Sequence, residues 1–106
     1  MYIKKEEFYE EMVKSKNKDE LTDSALETMK EMNKLIYNRL LFKNIDDAKY
    51  SKQIAEDEMI KNWRNFNPDH PAKPNSAFNF VSEIIKRGYA KAWRKLYPAK
   101  PPEASQ

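Results

Sequence analysis

A single glycine, Gly88, in 106 residues is the tightest constraint on what this chain can fold into. Tight β-hairpins draw on Gly or Asn at positive φ, so a hairpin-rich β architecture is not expected. The apolar residues recur instead at three- and four-residue spacing, which predicts an all-α fold, a compact bundle of about four helices.

The first helix is expected over about Lys5–Ser15, with Phe8, Met12 and Tyr9 inward, followed by a polar loop over Lys16–Glu20. The second is the clearest. Ser24-Ala25-Leu26-Glu27 has the form of a capping box, with Thr22 or Asp23 as alternative caps. Ala25, Met29, Met32, Ile36 and Leu40 then form one stripe, widened by Leu26, Leu35 and Leu41, and the helix is expected to end near Lys43-Asn44. A third helix starts near Asp46-Asp47 and carries Ala55, Met59 and Trp63 inward; it must stop before Pro68. A loop with three prolines (Pro68, Pro71, Pro74) leads to the fourth helix, from about Asn75 or Ser76 to Leu96. Its predicted core stripe is Phe78, Val81, Ile85, Tyr89, Ala92 and Leu96. A glycine in mid-helix costs about 1 kcal/mol against alanine, so Gly88 signals either close helix packing or a kink. Residues 1–97 read as one helical domain and 98–106 as a flexible Pro-containing tail.

The chemistry available is narrow. No cysteine and one histidine leave little for a disulfide, a thiolate metal site or general-base catalysis. Neither Asp46-Asp47 nor Glu56-Asp57-Glu58 has metal-ligand spacing, because adjacent helical residues point apart. There is no Gly-rich phosphate loop, and His70 has no nucleophile motif beside it. An enzyme is not expected, nor a cofactor, a secretory leader or a membrane span. The absence of cysteine fits a reducing cytoplasm.

Charge is unevenly spread. Residues 1–60 carry 11 Lys/Arg against 14 Asp/Glu, whereas residues 61–106 carry 9 against 3. Between Lys86 and Lys95 lie five cations and no acid. The plain reading is a solvated helix face; the functional one is a polyanion contact. Once the core stripe of the fourth helix is assigned, Phe80, Ile84, Arg87, Lys91 and Arg94 remain, with Trp93 at its edge. Cations interleaved with surplus aromatics suit single-stranded nucleic acid, where phosphates are neutralised and unpaired bases stack on rings. Phe66, Asn67 and Lys73 in the preceding loop stand near the start of that face. A small domain also needs aromatics for its interior, and Trp63 is read as core.

The order of these features resembles a known family. A capped helix ends in Arg39-Leu40-Leu41-Phe42, and an acidic helix closes on Asn65-Phe66. A Pro-containing loop, Asn75-Ser76-Ala77-Phe78-Asn79-Phe80 and a basic helix follow. This is similar to region 2 of bacterial sigma factors, and most similar to the late-transcription sigma factors of T-even-type phages; the opening Tyr2-Ile3-Lys4-Lys5-Glu6-Glu7-Phe8 of this chain also resembles the start of those phage proteins. The likeness spans roughly residues 1–96.

The resemblance implies a sigma domain 2 fold and a cytoplasmic role in a bacterial host cell. It implies polymerase binding by the third helix, docked on the β′ clamp helices of core RNA polymerase through Gln53, Glu56, Asp57 and Ile60. Tyr50, Ile54 and Ala55 depart there from the family's Asp, Glu and Gly. It further implies that Phe66 borders a pocket for a flipped base and that Phe78 sits at the start of the promoter-melting helix. With Lys73, Phe80, Lys86, Arg87, Lys91, Trp93 and Arg94, these would capture the non-template strand of promoter DNA at an AT-rich −10-like element. No second promoter-reading domain is expected in a chain this long. Residues 101–106 do not resemble the sliding-clamp tail of the phage proteins, which leaves room for a phage co-activator. Two alternatives stand beside this reading: a sigma-like polymerase inhibitor or co-regulator, and a helical DNA-binding protein unrelated to polymerase.

Overall fold

The computed structural model describes residues 4–40, 42, 44–71 and 75–97. Among them are four helices and no strand: α1 (Lys5–Lys18), α2 (Asp23–Tyr37), α3 (Ile45–Asn62), continued by a 3₁₀ turn at Trp63–Asn65, and α4 (Asn75–Leu96). The all-α expectation holds. Four buried methionines, Met12, Met29, Met32 and Met59, fill the centre together with Phe8, Ala55, Trp63, Phe66, Val81, Ile85 and Tyr89. Unbranched thioether chains fit the irregular gap between helices of unequal length.

α3 and α4 form the spine. They run antiparallel: the Tyr97 hydroxyl, just past α4, donates to Asp47 Oδ2 (2.5 Å) at one end, and Phe80 and Ile84 line one hollow with Asn62 and Asn65 at the other. Midway, Gly88 faces Ala55, where an added Cβ would stand 2.6 Å from the Ala55 Cα and 3.1 Å from its Cβ. α4 is continuous through this point, so of the two roles read for Gly88 it is close packing that applies. A buried polar link ties α2 to the spine. Tyr89 donates to Asn33 Oδ1 (2.6 Å), and Asn33 Nδ2 donates to the Lys52 carbonyl (3.2 Å).

Helix boundaries depart from the sequence reading in three places. α1 runs through Lys16–Lys18, which had been expected in a loop: its basic end suits the helix dipole, and Asp19 closes it at φ 57°. Of the caps offered for α2, it is the alternative Thr22 rather than Ser24 that serves. Its Oγ1 accepts from Ala25 N (3.1 Å) and donates to Glu11 Oε1 (2.7 Å). α2 ends at Tyr37 rather than near Lys43-Asn44, because the chain turns at Asn38–Leu40 to bring Phe42 against Tyr89 and Trp93. Leu40 therefore leaves the core stripe and is 38% exposed. Asn44 opens α3 instead of closing α2, accepting from Asp47 N (2.8 Å).

Candidate nucleic-acid interface

Three side chains on α4, Phe80, Ile84 and Arg87, follow the i, i+4, i+7 spacing that places them in one row. The row forms a boundary shared by two hollows. One, of about 370 Å³, opens toward the loop before α4 and is completed by His70, Ser76, Asn79 and Glu83. The other, of about 250 Å³, lies against α3 and is completed by Glu58, Asn62 and Asn65. Phe80 is half-buried and rests on Phe66 with ring centroids 5.7 Å apart, which fixes the ring that the row presents.

Electrostatically the walls are mixed. Lys91 Nζ donates to Glu58 Oε2 (2.9 Å), and Asn62 Nδ2 donates to Glu58 Oε1 (3.2 Å). The Lys91 ammonium is the main reason that the Glu58 carboxyl is held below the usual carboxylate range, against the opposing effect of burial. Lys86, Arg87 and Arg94 are exposed on the solvent side of α4, around the small Ala90.

The structure brings together only part of the set expected from sequence. Phe80, Arg87 and Lys91 converge on the groove, with Lys86 and Arg94 on the solvent side of the same helix. Phe66 does not present its ring. It is 2% exposed, packed edge-on against Tyr9 and against Phe80, because α1 covers it from behind. Ile84, read as lying off the core, is 4% exposed, since α3 packs on that flank. Lys91 is paired with Glu58, although its side chain stays 43% exposed. Phe78 is half-buried on the opposite flank of α4, with the Lys5 ammonium 4.8 Å from its centroid. Trp93 is 40% exposed but stands 13 residues beyond Phe80, about 20 Å of helix rise, against Phe42 and Tyr97. Asn67 folds back on its own loop, accepting from Asp69 N (3.0 Å). Lys73 lies outside the described residues.

On α3, Gln53, Asp57 and Ile60 share the solvent face. Gln53 Nε2 donates to Asp57 Oδ1 (2.9 Å), and Ile60 is 44% exposed. Tyr50 (38%) and Ile45 (61%) leave further apolar surface exposed on the same helix. Glu56 turns aside, into a polar cleft of about 450 Å³ against α2.

Sequence reasoning missed Glu58, Asn62, Asn65, Asn79 and Glu83. The first three recur at four- and three-residue spacing at the end of α3, a polar row bordering the core face. That spacing is the signal that would have found them. No helix among the described residues is long and apolar enough to cross a membrane. Compared with models of known protein families, with curated proteins and with solved structures, the chain matches none.

Proposed function

We propose that this protein is a phage-type sigma factor. In this reading α3 docks on the β′ clamp helices of core RNA polymerase, and α4 captures the non-template strand of an AT-rich −10-like element. The observation that carries the nucleic-acid half is the row Phe80-Ile84-Arg87: a fixed aromatic ring and a guanidinium beside two hollows, flanked by Lys86 and Arg94. Unpaired bases gain roughly 1–3 kcal/mol each on such rings, and phosphates meet the cations. The protein half is supported by the solvent face of α3, where Tyr50, Ile60 and Ile45 remain exposed around Gln53 and Asp57. These are the apolar residues on which such a contact would close.

A second reading, a sigma-like polymerase inhibitor or co-regulator, is favoured by the burial of Phe66 and the pairing of Lys91, which thin the DNA-facing set. One pair of titrations separates the two. Purified chain is titrated with fluorescent single-stranded 12-mers by anisotropy, and with purified bacterial core polymerase and isolated β′ clamp helices. The sigma reading expects both to bind. Polymerase binding without single-strand binding selects the inhibitor reading, and no binding to polymerase overturns both.

A further inference from the structure

The groove on α4 is divided, and the division has a chemical pattern. Each hollow contains one carboxylate with amide neighbours: Glu83 with Asn79 on one side, Glu58 with Asn62 on the other. Among the described residues, the one cation common to both is Arg87, which stands on the boundary with Phe80. Each carboxylate makes its hollow a poorer place for a phosphate than the boundary, where the Arg87 guanidinium stands. Glu58 in particular stays ionised, with Lys91 and Asn62 donating to it. Neutral, donor-bearing groups are accepted in the same places, since a carboxylate takes hydrogen bonds from ring N–H and exocyclic amines. Phosphate is favoured on the boundary and along the outer cations.

Resting on the nucleic-acid half of the proposed function, we infer that the groove is a two-nucleotide site. Two consecutive unpaired bases enter, one into each hollow on either side of Phe80, and Arg87 holds the phosphate that joins them. The volumes, about 370 and 250 Å³, lie around the low end of small-molecule sites, roughly 300–1,000 Å³, which leaves room for one base in each. Because Ile84 is 4% exposed and Phe66 backs Phe80, the boundary is supported from below and does not collapse to merge the hollows. The footprint is thus set by the i, i+4, i+7 row rather than by the length of the basic helix.

The test uses the full chain labelled with ¹⁵N and titrated with dAMP, with the dinucleotide d(ApA) and with an oligodeoxyadenylate 12-mer. The side-chain amides of Asn79 and Asn65 report the two hollows. The dinucleotide is expected to shift both amides in one saturable event and to bind at least about tenfold more tightly than dAMP, as one added stacking contact gives. Phe80→Ala should abolish that gain. Phe80→Leu, which retains the apolar contact with Phe66, should keep the chain folded while losing most of the gain. If d(ApA) binds no better than dAMP, or moves only one amide while the 12-mer still binds, the two-nucleotide site is wrong and the wider reading stands. If the 12-mer does not bind at all, both fall.

Discussion

Gly88 and Ala55 show how one missing methyl sets a fold. In isolation Gly88→Ala favours the helix by about 1 kcal/mol. Here the new Cβ would sit 2.6 Å from the Ala55 Cα, and backbone cannot yield as a flexible side chain would. Forcing a methyl into a packed contact costs about 1–3 kcal/mol. Gly88→Ala is therefore expected to lower stability in urea unfolding despite its better propensity, whereas a neutral or stabilising result would show that α3 and α4 separate freely. Tyr89→Phe acts by another route. It leaves Asn33 Oδ1 buried without its donor, a loss of about 1–3 kcal/mol by the same measurement. Burial pushes the Tyr89 phenol well above its ordinary range, so no alkaline transition from this residue is expected while the fold persists.

At the scale of elements, the Glu58–Lys91 pair joins the helix with the exposed apolar face to the helix with the cations. Glu58 titrates lower in the folded chain than in the unfolded one. Its contribution is therefore complete at neutral pH and disappears as pH falls through the lowered value. Lys91→Met should return the Glu58 carboxyl toward the ordinary carboxylate range in a ¹³C NMR titration. It should cost no more than about 1 kcal/mol at neutral pH, with the difference vanishing in strong acid. An unchanged titration would mean that the ammonium does not govern this carboxyl. The helices themselves were readable from period alone: Ala25, Met29 and Met32 on α2, Ala55 and Met59 on α3, and Val81, Ile85 and Tyr89 on α4 all lie where the spacing put them. Helix ends were less legible. The end of α2 is decided by Phe42 reaching Tyr89 and Trp93, a contact 47 and 51 residues away that no local window contains. The site was legible only in half. Periodicity finds one buried face per helix, and says nothing of the second flank that α3 covers at Ile84 or α1 covers behind Phe66.

For the whole molecule, the proposed division of labour is a statement about independence. Gln53→Ala with Asp57→Ala and Ile60→Asp should weaken core-polymerase binding and leave single-strand affinity unchanged. Glu56 is not in this set, since it faces α2. Arg87→Gln with Arg94→Gln should do the reverse and lower the slope of log K against log salt by about 1.4, at about 0.7 for each single-strand phosphate contact. Combined, the two sets should add within about 0.5 kcal/mol in each assay. A larger coupling would show that the two faces bind one surface rather than two.

The contact between residues 55 and 88 also carries information about descent. With backbone meeting backbone there, neither column of any family sharing this architecture can drift far from the smallest side chains, however completely the charged surface is rewritten. A pair of small residues 33 positions apart, one preceding a methionine by four and the other preceding a tyrosine by one, is thus a more durable marker of kinship than the lysines and arginines nearby. A saturation library should show the same: a nearly empty row of tolerated residues at 88, and tolerance at 55 that narrows further whenever 88 gains a methyl.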